Sequence, residues 1–286
     1  MWKIILIIIC ICMIVLFFGY LFIKKGWHRT AVIAFSMYSK IPMPHFEWRE
    51  EDMKYTLCFF PWVGGIIGFF VWLVWLLGTN LELEPAFLAA VLCVLPLLIS
   101  GGIHMDGYLD TIDALSSWQT KERRLEILKD PHTGAFAIIG AGIYLLLNYG
   151  CFCQILVNGN EDGKGIGVGI HIAVMFFLSR TLSGLSLMFF QSAKKEGTLY
   201  TFADAAHKKG TTVVLMVYLL ITVVVLCLCQ PVYGLGMAAA AAVSFIYYRW
   251  MSYQYFGGIT GDLAGYFLQL CELMILIVLC VLGKLY

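Results

Sequence analysis

The sequence predicts an all-α fold: a polytopic membrane bundle of about eight spanning helices, with one short re-entrant or interfacial helix near residues 30–44. Three observations predict it. Of 286 residues, 61% are hydrophobic and 13% charged, with a mean hydropathy of +0.85, which leaves too few polar side chains to clothe a water-soluble globule. The apolar residues gather in runs near the twenty or so that a bilayer requires. The loops between these runs alternate between basic and nearly uncharged.

The runs fall near 4–23, 55–78, 86–101, 134–157, 165–190, 212–229, 234–248 and 263–283. The first lacks a small-residue cleavage site and is followed by Lys24 and Lys25, so an uncleaved span is expected rather than a signal peptide. Residues 1–29 then form an added spanning segment with a basic flank, and 30–286 a single membrane-embedded catalytic domain. TAVIAFSMYSKIPMP, 30–44, is too short to cross and is closed by two prolines, which suits a helix lying against the membrane face. The 86–101 and 234–248 runs are short and need to extend into their flanks.

Loops 24–54, 102–133, 191–211 and 249–262 carry most of the Lys and Arg between the spans, whereas 79–85 and 230–233 carry none and 158–164 only Lys164. The positive-inside rule makes the first set cytoplasmic and puts both termini outside. A net charge of +1 gives no sign of a nucleic-acid partner, and none is expected; the partners are the bilayer and small substrates, with a homo-oligomer left open. The ten cysteines lie in or beside apolar runs and read as small hydrophobes. Neighbours two apart on a helix point about 200° apart, so the C-x-C pairs cannot share a ligand.

GGIHMDGYLDTIDAL, 101–115, brings acid to the end of an apolar run. Asp106, Asp110 and Asp113 stand at i, i+4 and i+7, one face of a helix, where like charges repel. A divalent ion relieves that repulsion, and Mg²⁺, or Mn²⁺, on these oxygens keeps positions open for water and substrate phosphates. The three aspartates are therefore the expected metal ligands. His104 is a neighbouring substrate-binding candidate. RRLEILKDPHTGAF, 123–136, returns positive charge through Arg123, Arg124 and Lys129, as an anionic substrate requires. Asp130 and His132 follow, and Asp130 also suits the cap of the next helix. Arg180 and Glu272 fall inside apolar spans, where an ionisable group is costly without a polar cavity or a partner; both are binding candidates, or partners of one another. Asp262, at the glycine-rich entry to the last span, is a further catalytic carboxylate expected to converge on the first three.

Taken together, AFSMYSKIPMP (34–44), FPWVGGIIG (60–68), GGIHMDGYLDTIDAL, RRLEILKDPHTGAF, SRTLSG (179–184), KKEG (194–197) and GGITGDLAGYFLQLCEL (257–273) resemble the cobalamin synthase family, in that family's order and over nearly the whole chain. The resemblance implies an adenosylcobinamide-GDP ribazoletransferase. A hydroxyl of α-ribazole, or of its 5′-phosphate, attacks the phosphorus attached to cobinamide and GMP leaves, with Mg²⁺ assistance at the cytoplasmic face. It assigns Asp106, Asp110 and Asp113 to the metal, and one of these or Asp262 to the base. The chain departs from the pattern at Ala114, where glycine is usual, at Pro131, where serine is usual, and at Gln269, where an acid is common. The first span is an addition that the resemblance does not cover. Two alternatives are weaker. A CDP-alcohol phosphotransferase would space its aspartates differently, and an ion-coupled transporter would show an internal repeat.

Overall fold

The computed structural model describes residues 27–162, 165–194 and 198–285, so the expected first span at 4–23 lies outside the described residues. The described residues form helices without a β-strand. They are α1 (Trp27–Tyr38), α2 (Glu50–Met53), α3 (Thr56–Asn80), α4 (Pro85–Ser100), α5 (Ile103–Ser116), α6 (Lys121–Ile127), α7 (Ala135–Asp162), α8 (Gly165–Phe189), α9 (Thr198–Ala205), α10 (Lys208–Cys229), α11 (Pro231–Phe256) and α12 (Gly261–Leu285).

Six helices, α3, α7, α8, α10, α11 and α12, are long and apolar enough to cross a membrane, or seven spans if α4 and α5 count as one broken span. The protein is an integral membrane protein. Its centre is built by α8, α12 and α3, whose spanning windows are 72%, 61% and 56% buried, whereas α7 and α10, at 28% and 22%, turn most of their length outward. Leu146 and Leu220, 72% and 66% exposed, belong to those outward faces and suit lipid.

Close approach at the centre depends on small residues. Gly64 and Gly68, one turn apart on α3, lie against the backbone of α8 so tightly that an added Cβ would meet the carbonyls of Phe176 and Ala173. With lipid as solvent there is no hydrophobic drive between helices, so such backbone contact supplies the dispersion that joins them.

The expected 86–101 span is only half of a bent unit. At 16 residues, α4 is about 24 Å long, short of the hydrocarbon thickness. It ends at Gly101 and Gly102, both left-handed at φ 67° and 77°, a conformation that favours glycine, and the chain turns 97° into α5. We read α5 as lying outside the spanning segments. The helix expected near 30–44 runs from Trp27 to Tyr38 and stops ahead of Pro42, whose ring disfavours helix in the residue before it. Its buried face, Thr30, Ala31, Ile33, Ala34 and Phe35, packs in the bundle, and the extended strand that follows donates from Lys40 N–H to Ile99 O at 2.8 Å. That bond ties α1 to the end of α4, beside the bend.

Candidate active site

The acidic helix α5 crosses the start of α12 at glycines. A Cβ on Gly107 would lie 2.7 Å from the Asp262 carbonyl oxygen and one on Gly265 would lie 2.9 Å from that of His104. Two backbones in contact place Asp106, next to Gly107, and Asp262 on the same cavity. This cavity, about 220 Å³, is lined by Asp106, Asp262, His104, Tyr38, Phe60 and Ser183, with Leu57, Leu187 and Leu268 among its apolar walls. A second, about 640 Å³, lies between α1, α4 and α5 and is lined by Lys40, Ser36, Ser39, Gly101, Gly102 and again Asp106. Asp106 thus belongs to both. Of the acidic run, Asp106 lines the same cavity as Asp262.

The three aspartates do not share one role. Asp113 is occupied by backbone: its Oδ2 accepts from Gly134 N–H at 2.6 Å and its Oδ1 from Ala137 N–H at 2.8 Å. It caps α7, where the helix dipole and unpaired N–H groups favour a carboxylate. Asp113, one of the three expected ligands, thus has both oxygens bonded to backbone, and the cap that Asp130 suits in the sequence comes from Asp113 in the structure. Asp130 accepts from the His132 N–H and ring Nδ1 at 3.0 and 2.7 Å, an exposed local turn. Asp113→Ala is expected to lower stability by about 1 kcal/mol, as lost helix caps do, and Asp113→Asn by less. Thermal unfolding of the purified variants measures both.

Asp106 and Asp110 remain, with Asp262 opposite. Partial burial first, then the charges of Asp106, Asp262 and Asp113, push the Asp110 carboxyl up to about 7 from 3.8. The folded protein therefore holds this proton at pH values where the unfolded chain has lost it. Stability of metal-free protein is expected to fall as pH rises from about 4 to about 7 and to level off above. Asp110→Asn should flatten that part of a melting-temperature profile.

Among the described residues no three His, Cys, Asp or Glu side chains form a metal-holding group. Asp106 and Asp110 supply hard oxygen donors, and Mg²⁺ takes one or two such carboxylates and completes its shell with water and substrate phosphate. The mutual repulsion at Asp110 is the feature such an ion relieves.

None of the basic candidates lines either cavity. Arg123 is exposed and pairs with Glu126 at 2.6 Å. Arg124 is buried with its guanidinium 4.8 Å from the centre of the Tyr255 ring, a packing role that joins α6 to α11. Lys129 and His132 lie on the exposed stretch between α6 and α7. Of the two readings open for Arg180 and Glu272, binding or partnership, the structure has the partnership. They are 1% and 3% exposed and hydrogen-bond each other through Arg180 Nη1 and Glu272 Oε1, with Ser179 Oγ donating to the same carboxylate at 2.8 Å. They lock α8 to α12 and line neither cavity.

The family model described as Cobalamin-5-phosphate synthase matches residues 30–280. The chain belongs to this family. An adenosylcobinamide-GDP ribazoletransferase of Lachnoclostridium phytofermentans is 49% identical over 248 residues, 87% of this chain and 92% of that one. Proteins of the same name from Clostridium perfringens strain SM101 and Pseudomonas savastanoi pv. phaseolicola are 29% and 30% identical, covering 87% and 82% of this chain and 96% and 91% of theirs. No solved structure matches.

The cobalamin-5-phosphate synthase match starts at residue 30, where the resemblance by motif also starts. The surroundings of Gln269 suit a neutral side chain. Gln269 is 3% exposed, accepts from the Tyr144 hydroxyl and stands one turn before Glu272, so an acid there would bury a second charge beside the first. Sequence reasoning missed two cations. Lys40 lines the larger cavity, and the signal was its place in the YSKIPMP motif. Lys194 donates to Leu125 O at 2.9 Å, and its charge and that of Asp106 act on Asp262. The backbone pairing of 191–193 with Ile259 sets it there, and nothing in spacing announces a contact between segments so far apart.

Proposed function

We propose that this chain is an adenosylcobinamide-GDP ribazoletransferase acting at the cytoplasmic face of the membrane, with both termini outside. The single observation that carries the reading is Asp106 on the wall common to two cavities, one small and largely apolar and one larger and lined by Lys40, in a chain of this family. The acceptor is α-ribazole or its 5′-phosphate. Its hydroxyl oxygen bonds to the phosphorus that carries cobinamide, the bond from that phosphorus to the bridging oxygen breaks, and GMP leaves with that oxygen.

Positioning and charge neutralisation are the main demands of such a transfer. Asp106 and Asp110 are the residues to hold Mg²⁺, or Mn²⁺, with Asp262 opposite. Bound there, the ion would neutralise phosphate charge and polarise the phosphoryl oxygens. Asp262 is the carboxylate best placed to take the hydroxyl proton, because it shares the smaller cavity with Asp106 and lies on a different helix. Lys194 offsets the charge of Asp262. The bend at Gly101 and Gly102 sets the height of the acidic helix, and the α5–α12 crossing sets the gap.

Purified protein supplied with adenosylcobinamide-GDP, α-ribazole and Mg²⁺ should release GMP. Parallel reactions with CDP-diacylglycerol and an alcohol acceptor should give no CMP. Absence of GMP in the first, or release of CMP in the second, overturns the assignment. Cysteine-labelling of positions in 79–85 and 117–120 on intact cells checks the orientation.

A further inference from the structure

The smaller cavity has features that phosphoryl transfer by itself does not require. One wall is aromatic: the Tyr38 and Phe60 rings lie 4.3 Å apart, and the His104 imidazole stands 6.3 Å from Tyr38 in a near-parallel stack and 5.9 Å from Phe60. Leu57, Leu187 and Leu268 add aliphatic lining. Only one end is acidic, where Asp106 and Asp262 meet. His104 is 5% exposed, and its Nε2 has no hydrogen-bond partner among the described residues. A polar atom left unpaired at that depth is costly, and since Nε2 is closed off from the cavity in this structure, a turn of the imidazole is what brings it to a ligand.

We infer that this cavity is the pocket for the acceptor's base, a flat two-ring heteroaromatic group that lies along the aromatic wall and presents a ring nitrogen to His104. The inference rests on the ribazoletransferase reading and deepens it. Size supports it: an apolar cavity of about 150 Å³ holds one benzene ring, and about 220 Å³ leaves room for a second, fused ring. A corrinoid is far too large for it. The larger compartment, about 640 Å³ with Lys40 on its wall, suits the anionic part of the donor. A base seated against Tyr38, Phe60 and His104 carries its sugar toward the acidic end. The attacking hydroxyl then reaches Asp106 and Asp262 while the donor's phosphorus approaches from the other side of Asp106. Apolar walls with one hydrogen-bonding group also give specificity, since an analogue without the ring nitrogen leaves His104 unpaired.

The test uses full-length protein in detergent, with each substrate varied in turn. Ala264, 8% exposed on α12, lines this cavity, so Ala264→Leu fills it. The KM for α-ribazole is expected to rise by about tenfold or more, with the KM for adenosylcobinamide-GDP unchanged. His104→Leu should raise the same KM, and His104→Gln, which keeps a hydrogen-bonding group, should raise it less. A measurement independent of turnover accompanies these: α-ribazole alone should raise the melting temperature of the wild type and not that of Ala264→Leu. If Ala264→Leu does not fold, the two His104 variants decide. The inference is overturned if wild-type protein releases GMP while the folded variants keep its KM for α-ribazole or change only that for the donor. If wild-type protein releases no GMP yet α-ribazole still stabilises it, the base pocket stands and the transferase reading falls. No GMP and no stabilisation overturns both.

Discussion

Asp106→Asn is expected to lower the rate of GMP release by roughly 10²–10³-fold, the scale on which loss of one preorganised electrostatic group acts in a transition state. The substitution keeps the shape of the side chain and removes its charge. Asp106 is the exposed carboxylate of the acidic helix and lies on both cavities, so folding should be little affected. Loss of a metal ligand should also raise the Mg²⁺ concentration needed for half-maximal rate. The comparison with Asp113→Asn is the decisive one. Both residues sit on one face of α5, yet Asp113 is bound to the α7 backbone, and its substitution should reduce stability more than turnover. Single-turnover rates and melting temperatures on the two variants separate these effects. Wild-type turnover by Asp106→Asn would remove the carboxylate cluster from the mechanism.

Glu272→Ala should be strongly destabilising. It strands the Arg180 guanidinium at 1% exposure with Ser179 Oγ, 2.9 Å from Nη1, and the Phe176 carbonyl as its remaining hydrogen-bond partners. Removing one partner of a buried pair costs about 3–5 kcal/mol, because the other charge remains desolvated and uncompensated. A drop in melting temperature on the order of 10 °C, or failure to accumulate in the membrane, is the expected result. Replacing both, as Arg180→Met with Glu272→Leu, removes the two desolvation costs together and should recover most of the loss. Since neither residue lines a cavity, the recovered double variant should keep its KM for both substrates. A double variant as unstable as the single would show that the pair is not what locks α8 to α12.

The reading of the elements held because hydrocarbon is a strict solvent. Seven of the eight expected windows coincide with helices, among them Thr56–Asn80 and Gly261–Leu285, and the eighth lies outside the described residues. Length and apolarity decide such segments almost alone. The bend at Gly101 and Gly102 was less legible, since two glycines signal a break but not its 97° angle. What the sequence leaves open about the site lies between helices. The spacing of Asp106, Asp110 and Asp113 shows that they share a face, but not which neighbour meets that face at each turn. Asp113 meets the bare N–H groups at the start of α7, whereas Asp106 meets open space. Arg180 and Glu272 were recognised as costly in a membrane, and their partnership, across 92 residues, was one of two readings that sequence left open.

Composition and hydrophobic period by themselves determined that this chain is a membrane bundle, where its helices lie and that its acid is gathered at one turn of the fold. A lipid environment leaves the backbone no other way to satisfy its hydrogen bonds, and local spacing alone determines which side chains share a helix face. Only the tertiary structure decided which carboxylates stay open to a substrate, that Asp262 joins Asp106 on one cavity, and that Lys40, Tyr38 and His104 line the walls. Those facts depend on how closely two helices cross. The crossing at Gly107 and Gly265 is set by packing across more than 150 residues of intervening chain, a distance over which no local pattern carries information.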